Sequence, residues 1–330
     1  MTIRSVVVGV DGSPEADDAL VWALQEGRLR GVPVRAVNVW SADDGPARAE
    51  RLAALRSATE LRARLSHGVG GHVREVVERH GATDVPVTTE VRYGHPTREL
   101  IREAGADALL VVGSRGRGSL AGSLLGSVSQ SSIRYSQGPV VVVRARRPRP
   151  TAAPVVVGVN GSTESVHALR FAHDAAIHRG ATLRVLHAWT PPYMGFAGAA
   201  WLPPEAIDDL VAQATATLRD AARRAGVDVT QAPVETHLVR GPPAPALLEA
   251  AENAGLLVVG SRGYGGWKGL LLGSVSAQSV TRAMSPVVVV RGAVSAESLT
   301  AGVMSPRRRA DAGQEGMPRP RRVTSTIWRP

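Results

Sequence analysis

The chain has 330 residues, 44% hydrophobic and 21% charged, with a formal net charge of +10 and no cysteine. Its length suits about two domains, and no apolar run reaches the roughly 18 residues of a membrane-spanning helix. Without cysteine, a disulfide framework, thiol catalysis and thiolate metal sites are excluded.

The chain opens as MTIRSVVVGVDGS, entering a strand at once and lacking the layout of a signal peptide. Together with the missing cysteines this fits a reducing cytoplasm, so a cytoplasmic protein is expected. The first strand is expected at 4–10 and is followed by a helix over 14–30. Further strands are expected at 33–40, 86–92, 107–112 and 139–144, with helices over 47–80, 95–105 and 127–136 between them. Continuous valine runs such as SVVVGV and PVVVVR suit strands buried on both faces of a parallel sheet. Strand–helix alternation at this spacing predicts right-handed crossovers and a doubly wound α/β fold.

The pattern then repeats. VVVGVDGSPEADDALVWAL, starting at Val6, returns as VVVGVNGSTESVHALRFAH, ending at His173. VRYGHPTRELIREAGADALLVVGSRG returns as LVRGPPAPALLEAAENAGLLVVGSRG, and both copies close on PVVVVR. Strands of the second copy are expected at 154–159, 181–189, 229–239, 255–259 and 286–291. The expected organisation is a domain over 1–145, a linker over 146–153 (within RARRPRPTAAP), a second domain over 154–292 and a disordered tail over 293–330. Each domain would be a five-stranded parallel sheet, and their final strands could pack the two into a pseudo-dimer. Lys268 is the single lysine, and arginine is densest in RARRPRP at 144–150 and PRRRADAGQEGMPRPRRV at 306–323. The tail mixes Glu297, Asp311 and Glu315 among its arginines and lacks recurring aromatics. A solvated extension is therefore favoured over a nucleic-acid arm.

The candidate chemistry lies in GSRGRGSLAGSLLGS at 113–127, which recurs as GSRGYGGWKGLLLGS at 260–274. Each copy follows a buried strand, and open parallel sheets bind ligands beyond the carboxyl ends of their strands. Glycines at 113, 116, 118, 122 and 126 would let backbone N–H groups approach a ligand. Gly126 and Ser127 would open a helix whose unpaired N–H groups favour an anion, with the Ser127 and Ser129 hydroxyls as added donors. No Walker A loop is present, and Gly116, Gly118 and Gly122 miss the dinucleotide fingerprint by one residue. Arg115 and Arg262 are candidate phosphate clamps or solvated surface residues. Asp11 and Asn160 could instead be plain turn or N-cap residues, the less favoured reading. His95 reads as a cap or surface residue, Ser123 is not in a nucleophile elbow, and the histidines form no metal motif. The stretch PPYMGFAGAAWLPP at 191–204 could be a lid, a partner surface or a packed loop.

The spacing G-x2-G-x9-G-S holds twice, at Gly113, Gly116, Gly126 and Ser127, and at Gly260, Gly263, Gly273 and Ser274. With VGVDGS at the first strand end, it resembles the ATP-binding signature of the universal stress protein family, over about residues 1–292. The resemblance implies nucleotide contacts at Val10, Asp11 and Gly12, adenine contact through the Val39 backbone, and ribose and phosphate contacts at Gly113, Gly116, Gly126, Ser127, Val128 and Ser129. In the second copy the corresponding residues are Val159, Asn160, Gly161, Ala188, Gly260, Gly263, Gly273, Ser274, Val275 and Ser276. Asn160 departs from the pattern, since it replaces the carboxylate of Asp11 with a neutral amide. The resemblance further implies ATP with Mg²⁺ as ligand and dimerisation of the chain. It points to a nucleotide-responsive regulator in stress adaptation, with no catalytic residue assigned. Competing readings are a slow ATPase or phosphotransferase using the same pockets, and a nucleic-acid-associated protein acting through the tail.

Overall fold

The computed structural model describes residues 2–40, 58–116, 124–144, 150–190, 204–231, 233–263 and 272–291. The tail, the 191–203 stretch, residues 117–123 and 264–271 of the glycine loops, part of the linker and the start of the helix expected over 47–80 lie outside them.

The first repeat runs β1 (Ser5–Gly9), α1 (Pro14–Arg30), β2 (Val34–Trp40), α2 (Ala58–Arg79), β3 (Val87–Tyr93), α3 (Pro96–Ala104), β4 (Ala108–Gly113), α4 (Ser127–Tyr135) and β5 (Val140–Val143). The second runs β6 (Val155–Gly158), α5 (Thr163–Arg179), β7 (Leu183–Trp189), α6 (Pro204–Ala225), β8 (Val234–Arg240), α7 (Pro243–Ala250), β9 (Leu256–Gly260), α8 (Ser274–Arg282) and β10 (Val287–Val290). All strand pairs within a repeat are parallel, as the buried valine runs predict.

The ten strands form one sheet in the order β3-β2-β1-β4-β5-β10-β9-β6-β7-β8. The repeats meet through β5 and β10, which pair antiparallel with Val141 opposite Val288. The final strands thus join the two five-stranded units edge to edge, and the pairing satisfies a row of backbone groups that each repeat's last strand would otherwise leave open. Both β5 and β10 are four buried valines, so their side chains as well as their edges are covered.

Two apolar layers flank the sheet and cross the junction without a break. Val6, Val8, Leu109 and Val111 pack with Leu20, Leu24, Leu169 and Phe171 on the side of α1 and α5. Val7, Leu110 and Val112 pack with Leu100, Ile133, Leu247 and Val280 on the side of α3, α4, α7 and α8. The alternation of side chains along each central strand divides them between the layers.

The long helices have explicit ends. Ser13 caps α1 by accepting from the Ala16 N–H, Pro14 occupies the first turn, and Gly31 closes it at φ 64°. Ser162 and Gly180 do the same for α5. β8 begins at Val234 and not at 229, because Asp228 accepts from the backbone and hydroxyl of Thr230 in a local turn.

Candidate functional site

Each glycine loop lies where its sheet changes direction, beyond β4 in the first repeat and β9 in the second. After β4 the Ser114 N–H donates to the Val143 carbonyl at 2.7 Å, and the Gly126 N–H returns to the Ser114 carbonyl at 2.7 Å. The chain then enters α4 with Gly126 as N-cap at φ −73°, ψ 157° and no side-chain cap. The first helical bond shown runs from the Gln130 N–H to the Gly126 carbonyl at 3.0 Å. The N–H groups of Ser127, Val128 and Ser129 precede it and point along the helix axis, at its positive end.

The second repeat builds the same arrangement. Ser261 N–H meets the Val290 carbonyl at 2.8 Å, Gly273 N–H meets the Ser261 carbonyl at 2.8 Å, and Ala277 N–H meets the Gly273 carbonyl at 2.9 Å. Gly273 caps α8 at φ −75°, ψ 157°, again without a side chain.

Several of the expected site residues have partners within the fold. The Ser129 hydroxyl is buried and donates to the Gly113 carbonyl at 2.6 Å; that of Ser276 donates to Gly260 at 2.6 Å. These hydroxyls tie the helix to the strand end. Gly113 and Gly260 serve packing: a Cβ there would lie 2.7 Å from the Glu15 carbonyl oxygen and 2.8 Å from the Glu164 carbonyl carbon. Val10 is buried, with its N–H on Val37 at 3.0 Å and its carbonyl accepting from Asn38 Nδ2 at 2.7 Å. Val159 is likewise held by Leu186 at 2.9 Å and His187 Nδ1 at 2.8 Å. Their polar backbone groups are thus engaged inside the fold.

Asp11 stands at the centre of the first site. Its Oδ1 accepts from the Ser13 N–H at 2.9 Å and the Ser13 hydroxyl at 2.6 Å, forming a turn that includes Gly12 at φ 73°. Its Oδ2 lies 2.5 Å from where a Cβ on Gly116 would sit, so the carboxylate is packed directly against the glycine loop. Asn160 copies this placement: its Oδ1 accepts from the Ser162 N–H at 3.2 Å, and its Nδ2 lies 2.4 Å from a Cβ on Gly263. Gly161 sits at φ 83°, and its carbonyl accepts from Arg224 Nη1 at 2.7 Å. The turn survives the exchange of Asp for Asn; the charge does not. Val39 and Val128 join one partly buried cluster on the α3 and α4 side, as do Ala188 and Val275 on the α7 and α8 side.

Positive charge gathers around both cradles. Arg115 is half exposed and pairs with Glu15 at 3.1 Å; Arg262 is placed the same way, 3.8 Å from Glu164. Arg144, just after β5, donates from Nη2 to the Leu124 carbonyl at 3.0 Å, directly ahead of α4. Burial, and then the charge of Arg115, push Arg144 below the usual guanidinium range. Arg291 is lowered in the same way by burial and Arg262. Two like charges confined beside one loop lower their repulsion when an anion arrives.

Sequence reasoning missed the outer wall. Asn38 and His187 hold equivalent carbonyls, so they occupy equivalent positions, and their neighbours differ too. Tyr93 packs tilted against Trp40, with centroids 4.6 Å apart and 59° between the planes, whereas Arg240 lies 6.0 Å over Trp189. The two strand pairs put Trp40 opposite Tyr93 and Trp189 opposite Arg240. From the first site to the second, Asp11 becomes Asn160 and Tyr93 becomes Arg240, both in the positive direction. The Asp11–Asn160 exchange is legible in the aligned copies; that Tyr93 and Arg240 each face a tryptophan across a strand pair is not.

A doubly wound sheet with the same glycine-capped helix start beyond each of two equivalent strands defines a tandem α/β protein. The universal stress protein family model matches residues 2–144 and 152–291. The chain belongs to the universal stress protein family. A universal stress protein of Mycobacterium tuberculosis strain H37Rv is 36% identical over 312 residues, covering 88% of this chain and 96% of that protein. One from Mycolicibacterium smegmatis is 37% identical over 310 residues, covering 88% and 98%. The fold is shared with the crystal structure of a universal stress protein from Archaeoglobus fulgidus, with a TM-score of 0.60 at 21% identity over 87% of this chain and 98% of that one.

Proposed function

We propose that this protein binds ATP, one molecule in each repeat, and acts as a nucleotide-responsive regulator. The observation that carries the reading is the run of N–H groups at Ser127–Val128–Ser129, repeated at Ser274–Val275–Ser276, behind a glycine N-cap with no side chain to satisfy them. Oriented N–H donors at the positive end of a helix suit phosphate oxygens, and Arg115 and Arg262 add charge beside them. Asp11 and Asn160, each packed on its loop, would border the sugar side of the ligand. Among the described residues no group of three acidic or histidine side chains stands ready for a metal. A magnesium ion arriving with the nucleotide would therefore be held chiefly by phosphate oxygens.

The test is to denature the purified full chain and quantify released nucleotide by mass spectrometry. Two intact adenine nucleotides per chain are expected, after loading with ATP if purification strips them. No release, and no calorimetric binding of added ATP, would overturn the reading.

A further inference from the structure

The two repeats are joined by a buried charge cluster that is not symmetric, although the helices that carry it are. α1 and α5 have the same length and begin at matching N-cap serines, Ser13 and Ser162. Counted from those caps, Trp22 corresponds to Phe171, Gln25 to Asp174, Glu26 to Ala175 and Arg30 to Arg179. The arginines cross the junction reciprocally. Arg30 lies 5.2 Å over the Phe171 ring, and Arg179 lies 5.9 Å over the Trp22 ring.

Only one carboxylate stands between the two guanidiniums. Glu26 is 1% exposed, accepts from Arg30 Nε at 2.5 Å, and is also bonded by Arg179 Nη2. Its counterpart Ala175 is 0% exposed, so the second repeat has no carboxylate there. Asp174 adds a half-exposed partner to Arg30 Nη1 at 2.7 Å. Burial alone would raise the Glu26 carboxyl, but Arg179 and Arg30 outweigh it and hold it below its ordinary value of 4.5.

We infer that Glu26 makes this interface accept the other repeat of the chain and reject a copy of either repeat. Pairing the first repeat with itself would bring two Glu26 carboxylates together with two Arg30. Pairing the second with itself would bring two Arg179 with no buried carboxylate between them, only the half-exposed Asp174 of each copy at their edge. A buried charge deprived of its partner is strongly destabilising, and a second carboxylate in a filled, dry space adds both repulsion and overpacking. The mixed pairing alone places one buried carboxylate, Glu26, against both guanidiniums, with the half-exposed Asp174 as a further partner of Arg30. The partner this surface fits is therefore an arginine-bearing helix with a small residue one turn ahead of that arginine, which is what α5 offers to α1.

Four full-length chains test this without dissecting the protein. Glu26→Ala leaves the arginines as a second–second pairing would. Ala175→Glu crowds the centre as a first–first pairing would. Combining both moves the carboxylate across the pseudo-two-fold axis. Thermal midpoints at pH 7 are expected to fall by about 5–10 °C for each single substitution, while the combined chain recovers at least half of the loss seen with Glu26→Ala. A merely structural need for glutamate at position 26 would give no recovery, because both changes would then add. If either single variant melts within about 1 °C of the wild type, or the combination is no better than Glu26→Ala, the inference is overturned. Should Glu26→Ala not fold, Glu26→Gln takes its place, and folding of the combined chain is then itself the expected rescue.

Discussion

Asp11 and Gly116 act as a unit, because the carboxylate fills the space that any side chain at 116 would need. In Gly116→Ala the added carbon would lie 2.5 Å from Oδ2 of Asp11, so the carboxylate has to shift. Gly263→Ala collides with Asn160 in the same way, at 2.4 Å. Each substitution is expected to weaken ATP binding in its own repeat by 10-fold or more, or about 1.4 kcal/mol, leaving one site per chain for calorimetry. The sites so isolated should differ. With Asn160 in place of Asp11 and Arg240 in place of Tyr93, the second should bind the triphosphate more tightly and lose more affinity between 50 and 300 mM salt. Equal affinities and equal salt slopes would show that these exchanges do not reach the ligand. At this scale the sequence disclosed which glycines matter but not why. The contacts of Gly113 with Glu15 and of Gly116 with Asp11 join residues far apart in the chain, and no spacing rule contains them.

Among the elements, α1 and α5 carry the longest chain of consequences. Each starts one residue beyond a serine whose hydroxyl accepts a helix N–H, Ser13 from Ala16 at 3.3 Å and Ser162 from Ser165 at 3.2 Å. Ser13 also donates its hydroxyl to Asp11, so the cap connects helix stability to the shape of the site. Ser13→Ala is expected to cost about 1 kcal/mol of stability, read from denaturant unfolding. It should also weaken ATP binding in the first repeat, since Asp11 loses the partner that orients it. Loss of stability with unchanged affinity would separate the two roles. The strands were read almost completely from their valine runs, and β8 shows where that reading stops. The strand expected from 229 starts later, because Asp228 holds a turn there and the Gln231 carbonyl accepts from the Val234 N–H at 3.0 Å.

Across the whole molecule, the single sheet and the Glu26 cluster link stability to pH. The carboxyl of Glu26 is lowered on folding, so its contribution is fully present above its ordinary 4.5 and is lost as pH falls through the folded value. Protonation there would leave Arg30 and Arg179 buried around a neutral group. The thermal midpoint is expected to hold between pH 7 and 5 and to fall steeply below about pH 4. In Glu26→Gln the midpoint should start lower and decline less over the acid range. An identical acid slope in both proteins would place the titrating group elsewhere. Salt should matter little to this cluster, because buried pairs are screened less than surface ones.

The sequence by itself determined the α/β class, the duplication, the parallel strands and the position of both glycine loops. These follow from local signals: valine runs, capping serines and glycines at fixed spacing, each readable within a few residues. Only the tertiary structure decided that β5 and β10 close the repeats into one sheet, that Ser129 and Ser276 spend their hydroxyls on strand carbonyls, and that Glu26 stands alone between two arginines. Each of these depends on groups brought together from distant parts of the chain. An interface that is symmetric in its helices and asymmetric in its charge becomes visible only when α1 and α5 face each other.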